Sequence, residues 1–189
     1  LMPSKGLTFY IGGWHSEEYF ISVKDKVRNT FEFNSNNIGK ENLEVLKQIK
    51  ESNSVSVHVR RGDFLDSDNY NKLGAVCTLN YFLRAIEKMR SLVDNPHFFF
   101  FTNDQSWVKS NFNGPDFTVI DINTKNNSWK DMFLISNCSH HINSNGSFSW
   151  WSAWLNKDAH PFVIVPTNFV ANKHFEDIYP ESWIQLSDY

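Results

Sequence analysis

The chain is short of most features that assign a protein quickly. Its 189 residues hold two cysteines, Cys77 and Cys138, too few for a disulfide scaffold. Positive charge is not in surplus: 18 Lys and Arg face 21 Asp and Glu, a formal net charge of -3. A general nucleic-acid binder, which carries a basic face, is therefore not expected. The longest apolar run, Phe98-Phe99-Phe100-Phe101, is strand-sized, far below the roughly 20 residues of a membrane span. The sequence has no Gly-x-Gly-x-x-Gly and no Walker loop, so neither a dinucleotide cradle nor an ATP cradle is indicated. Asp-x-Asp occurs once, as Asp66-Ser67-Asp68 in a polar stretch. The chain opens on Leu1-Met2-Pro3 without a secretion leader, and material upstream is expected.

What is present suffices for a core. Hydrophobic residues make up 41% and aromatics 16%, with 17 Phe and 7 Trp. Residues 54–59 alternate small polar and β-branched side chains with period two, and read as a strand. Thr78 is expected to cap a helix running through Leu92 on an apolar stripe. Strands are expected at 97–102, 117–120, 139–142 and 162–165. Helices are expected after Asp104, after a Ser128 cap, and from a Ser147 cap to residue 155. This alternation predicts an α/β fold, a Rossmann-like parallel sheet with helices on both faces. Residues 1–50 read as a lead-in with helices over 16–28 and 41–51, and residues 51–189 as the sheet domain.

In an open parallel sheet, ligands sit beyond the carboxyl ends of the strands. The first such end carries His58-Val59-Arg60-Arg61-Gly62-Asp63. Only five of the 18 cations are Arg, and two of them are adjacent here. A guanidinium fork grips phosphate bidentately, and Gly62 permits close backbone approach to a ligand. A salt-bridged surface turn with Asp63 is the plainer alternative. Thr102-Asn103-Asp104 and Pro166-Thr167-Asn168 follow other strands. Asn145-Gly146-Ser147-Phe148-Ser149 lies between a strand and a helix, whose first amides and positive dipole end can hold an anion; an ordinary N-cap is the alternative. Trp150, Trp151 and Trp154 read as core. Cys138, His140 and His141 resemble a metal cluster, but strand alternation separates them and no partner group is near. The sequons at Asn126, Asn137 and Asn145 are ascribed to frequent Asn, and Arg61-Gly62-Asp63 as an adhesion tripeptide to chance.

Taken together, these segments resemble the α1,2-fucosyltransferases of glycosyltransferase family 11. His58-Val59-Arg60-Arg61-Gly62-Asp63-Phe64 is similar to that family's His-x-Arg-Arg-Gly-Asp signature. Phe101-Thr102-Asn103-Asp104 with Trp107-Val108-Lys109 resembles its second block. Asp131 to Ser136, continued by Ser147 to Asn156, resembles its third. Val163-Ile164-Val165-Pro166 matches the final strand, and Tyr10-Ile11-Gly12-Gly13-Trp14 the stretch before the donor domain. Gly146, where the family has Ser or Thr, and Ser152, where it has Gly, depart from the pattern.

The resemblance implies the nucleotide-sugar-binding half of a GT-B-type enzyme, with residues 1–50 a remnant of an acceptor-side domain. It implies inverting, metal-independent transfer of L-fucose from GDP-β-L-fucose to a galactose 2-hydroxyl of a glycan, with no cofactor. Arg60 would take the β-phosphate, and Ser147 with its amide would add phosphate contacts. His58 and Asp131 would read guanine; Asp131 as a dipole partner of its own helix is the alternative. Arg61, Asn145 and Phe148 complete the implied donor site, and Asp63 is the nominated base. A cytoplasmic enzyme of bacterial type is expected, with an anchor upstream left open. A nucleotide-binding module without transfer and a GT-B enzyme using another nucleotide sugar are the competing expectations.

Overall fold

The computed structural model describes residues 15–34, 37–158 and 160–188. The Tyr10 to Trp14 stretch lies outside them. Two 3-10 turns, Glu17–Tyr19 and Ile21–Val23, lead into α1 (Lys24–Thr30), so the single helix expected over 16–28 is broken. Next come α2 (Lys40–Lys50) and β1 (Asn53–Val59), then a 3-10 turn Gly62–Leu65, one helical turn α3 (Ser67–Asn69) and a π-turn Tyr70–Gly74. The remainder alternates: α4 (Leu79–Leu92), β2 (Pro96–Thr102), α5 (Gln105–Asn111), β3 (Phe117–Ile120), α6 (Ser128–Ser136), β4 (His140–Ile142), α7 (Ser147–Trp154), β5 (Val163–Pro166) and β6 (Ile184–Leu186).

The six strands form one sheet in the order β3-β2-β1-β4-β5-β6, and every pairing is parallel. This is the Rossmann-like architecture that the alternation predicts, with β6 added. Three residues with an exposed Gln185 at the centre carry no readable period, which is why β6 escapes the sequence.

Strand β2 shows why a run of four Phe is a strand here. Phe98 and Phe100 pack with α4 and α5 on one face, Phe99 and Phe101 with α2 and α6 on the other. A strand buried on both faces needs no polar alternation, and each buried ring contributes about 1.5–3 kcal/mol. Strand β1 is buried on both faces too, although its pattern looks half polar. Val55, Val57 and Val59 join the α4 face. Ser54, Ser56 and His58 turn the other way, and each finds a partner on the chain beyond β1: Ser139, His141 and Ser144.

The expected cap at Thr78 is present, its hydroxyl accepting from Asn80 N at 3.2 Å. The same hydroxyl donates to the Asp188 carboxylate at 2.7 Å, Asn80 bonds the Asp188 carbonyl, and Arg84 bonds the Ser187 carbonyl. The caps expected at Ser128 and Ser147 are corrected. Helix α6 begins at Ser128 because the 3-10 turn Lys125–Asn127 already feeds into it. Helix α7 begins at Ser147 because the extended Gly146 occupies the cap position, and no side chain caps it. Ile49 of α2 is buried with Phe99, Phe101 and Leu134. Among the described residues, no helix is long and apolar enough to cross a membrane.

Candidate functional site

The strand order reverses direction between β1 and β4, and there the crevice beyond the carboxyl ends opens. Two cavities meet at this point. The larger, about 430 Å3, is lined by His58, Arg60, Thr102, Asn103, Lys125 and Asp131 among others. The smaller, about 280 Å3, takes in Phe64, Leu73, Asn145, Gly146, Ser147 and Phe169. His58, Arg60 and Phe148 belong to both and form the wall between them.

His58 is held from behind. Its Nδ1 lies 3.0 Å from Ser144 Oγ and 2.6 Å from Ser149 Oγ, and its ring packs on Phe148 at 5.2 Å. Nε2 is the nitrogen left for a ligand. Burial, with the Arg60 charge adding to it, pushes the imidazole down to about 3, so it is neutral at any working pH. Ser144 and Ser149 were not singled out individually in the sequence. Only the pairing of β1 with β4 brings them under His58.

Arg60 and Arg61 diverge, as alternation at a strand end dictates. Arg60 leans over the wall between the cavities, with an Nη 2.8 Å from Asp63 Oδ1. Arg61 turns to the other side of the strand end. Its Nε bonds Asp104 at 3.2 Å, its guanidinium stacks 4.1 Å over Trp107, and it lines neither cavity. Asp63 therefore holds Arg60 rather than Arg61, and it also lines neither cavity. A Cβ at Gly62 would collide with the Asn103 side chain, whose Oδ1 accepts from Arg61 N at 2.9 Å.

Asp131, in the first turn of α6, faces the larger cavity. Burial pushes its carboxyl up to about 6, against the opposing pull of the Asn123 amide, which donates to Oδ1 at 2.8 Å. Asn145 lines the smaller cavity, but its amide nitrogen is spent on the Leu73 and Phe169 carbonyls, 3.1 Å each. At 1% exposure it is closed to a glycan. Its Oδ1 is buried without a partner. Ser147 is exposed at the mouth, and the first-turn amides of α7 have no partner within their helix.

Other candidates fall elsewhere. Thr167 and Asn168 line a separate cavity of about 160 Å3 with Asp188. Trp150 and Trp154 are core, stacked 6.1 Å apart, with Trp150 Nε1 donating to the Ile178 carbonyl at 2.6 Å. Cys138 Sγ bonds the Leu134 carbonyl, His140 Nδ1 accepts from Phe162 N, and His141 lies between Ser56 and Asn156. Among the described residues, no group of three or more His, Cys, Asp or Glu could hold a metal ion.

A parallel sheet of order 3-2-1-4-5-6 with a polar crevice at its reversal point defines a Rossmann-like domain built to hold a ligand there. The chain belongs to Glycosyl transferase family 11, whose model matches residues 2–187. It is 35% identical to an alpha-1,2-colitosyltransferase of Escherichia coli, over 96% of this chain and 63% of that protein. It is 29% identical to the O-antigen biosynthesis glycosyltransferase WbnK of Escherichia coli, over 87% and 56%. It is 28% identical to the Homo sapiens galactoside alpha-(1,2)-fucosyltransferase 1, over 72% and 40%. The chain thus spans between two fifths and two thirds of these relatives. Among solved structures, the fucosyltransferase NodZ from Bradyrhizobium aligns over 62% of this chain and 41% of its own, with a TM-score of 0.39 and 20% identity.

Proposed function

We propose that the chain is the donor-binding part of a GT-B-type enzyme that moves L-fucose from GDP-β-L-fucose to a galactose hydroxyl, with inversion and without metal. The observation that carries this reading is the convergence of His58, Arg60, Phe148 and Asp131 on two joined cavities at the sheet reversal. The base goes in the larger cavity. There the Asp131 carboxylate can accept from both N1–H and the exocyclic amine of guanine, a pair that adenine and uracil do not offer. The diphosphate lies over Arg60. The sugar enters the smaller cavity, whose Phe64, Leu73 and Phe169 suit the methyl of a deoxyhexose.

Transfer needs the leaving diphosphate stabilised as its bond to the sugar breaks. Arg60 supplies a charge-assisted fork there, and the free amides at the start of α7 supply a dipole end. Asp63 is engaged with Arg60, which supports a holding role over that of a base for the acceptor. The names of the relatives favour one second reading. A colitosyl donor, lacking one ring hydroxyl of fucose, would use the same base and phosphate contacts.

Calorimetry with GDP, UDP and ADP tests the reading. A site built around one base leaves its polar groups unpaired against another, so GDP should bind at least about tenfold more tightly. Equal affinity for GDP and UDP would overturn the guanine assignment.

A further inference from the structure

We infer that Asn42, on α2, is a positioning residue for base recognition: through Asn123 it fixes the orientation of the Asp131 carboxylate in the larger cavity. The inference rests on the nucleotide reading of that cavity. Asn42 Nδ2 donates to Asn123 Oδ1 at 3.0 Å, and Asn123 Nδ2 donates back to Asn42 Oδ1 at 2.7 Å. The same Asn123 nitrogen donates to Asp131 Oδ1 at 2.8 Å. A reciprocal amide pair is planar and polar at both ends. Flipping either amide sets N against N and O against O and breaks both bonds.

Asn42 thereby decides which end of Asn123 meets Asp131. In the observed orientation a donor meets the carboxylate, and in the flipped one an oxygen would face it. Asn42 itself is 4% exposed and anchored on a helix packed into the core through Ile49, so it is the fixed end of the relay. One carboxylate oxygen is then tied down at the wall of the cavity that Asp131 and Asn123 share. A carboxylate that swivels cannot take two donors of one base at once.

The charged and titratable groups that share the cavity with Asp131 are His58, Arg60 and Lys125. Lys130 adjoins it on α6, and Glu41 adjoins Asn42 on α2. Replacing Asn42 alters none of these, so a change in Asp131 titration reports the relay. The Asn123 bond favours the ionised carboxylate, against burial.

The test uses the whole chain with Asn42→Leu, which keeps the branched shape without the polar atoms, and Asn42→Ser, which cannot reach Asn123. GDP affinity should fall about five- to tenfold at pH 7.5 on loss of the charged contact. The pH at half-maximal GDP binding should rise by roughly half a unit or more. Unchanged affinity and unchanged half-point, with only a lowered melting temperature, would make Asn42 a packing residue and overturn the inference. Should neither variant fold, the wild type still decides it by NMR without ligand. The side-chain amide signals of both Asn42 and Asn123 should titrate with the Asp131 carboxyl, and an indifferent Asn42 amide refutes the relay. A wild type that binds GDP and UDP equally would sink the nucleotide reading alone, since the amide titration judges the relay independently.

Discussion

Arg60→Lys and Arg61→Lys should separate ligand binding from stability, because adjacent guanidiniums do different jobs. Arg60 overlooks both cavities, pairs with Asp63 at side-chain exposures of 39% and 50%, and lies 5.7 Å over the Phe64 ring. A pair that wet is worth about 0–1 kcal/mol, and Lys retains the charge, so folding should hardly change. Its fork toward a diphosphate is another matter. Losing a charge-assisted hydrogen bond costs about 1.5–3 kcal/mol, and Lys replaces two prongs with one point donor. GDP should bind about tenfold or more weakly, and GMP, which lacks the β-phosphate, should lose much less. Arg61 sits 4.1 Å over Trp107 and bonds Asp104 through Nε, and Lys cannot reproduce the planar stack. Loss on the order of 1 kcal/mol of stability is expected, with GDP affinity changed less than about threefold because the residue touches neither cavity. Calorimetry for GDP and GMP, paired with urea denaturation of both variants, reads the four quantities. If Arg61→Lys weakens GDP more than Arg60→Lys does, the two guanidiniums have been assigned the wrong way round and the phosphate site is wrong at its centre.

Protonation of Asp131, whose carboxyl is pushed up to about 6, should cut GDP affinity progressively as pH falls below that value, about tenfold per unit; a flat profile between pH 5 and 7.5 would refute this. Because folding raises this carboxyl above its usual 3.8, its contribution to stability is fully present below pH 3.8 and lost as pH rises through about 6. Asp131→Asn should therefore raise the melting temperature at pH 7.5 and leave it unchanged near pH 4, even as it destroys GDP binding. His58 and His141, each pushed down to about 3 by burial, work in the opposite sense. Their stability contribution, on the order of a few kcal/mol each, is present above pH 6.5 and lost as pH falls toward 3, which urea midpoints at pH 7.5, 6 and 5 would reveal. Adding a chelator should leave GDP affinity unchanged; a collapse would require a metal at the diphosphate site.

Much of the fold could be read because its signals are local. The alternation of β1, the Phe run of β2 and the Thr78 cap each depend on a few neighbouring residues. The segment 62–74 could not be read so: its turns are polar and short, and their form follows from contacts such as Asn69 with the Asp63 carbonyl. The site divides in the same way. His58, Arg60 and Asp131 follow from the family motif, and the structure brings them to one cavity. Arg61 follows from the same motif, and alternation at the strand end sends it to the other side, against Trp107 and Asp104. Ser144, Asn42 and Asn123 leave no sequence signal and Ser149 shows only as part of a motif, since their partners lie 8 to 91 residues away and meet only once the strand order is set.

Asp188 against Thr78 gives the missing glycine motif a meaning. Helix α4 follows the central strand and starts where dinucleotide folds seat a pyrophosphate. Here a long connection, residues 60–78, replaces the tight glycine turn, and the chain lays its own carboxylate at that helix start. The seat is occupied from within, and an incoming phosphate would meet like charge there. Across the reversal point, the start of α7 carries no carboxylate cap and opens beside Arg60. The protein thus keeps the topology of a dinucleotide fold, with the uncapped helix start beside a guanidinium placed after the fourth strand and not after the first.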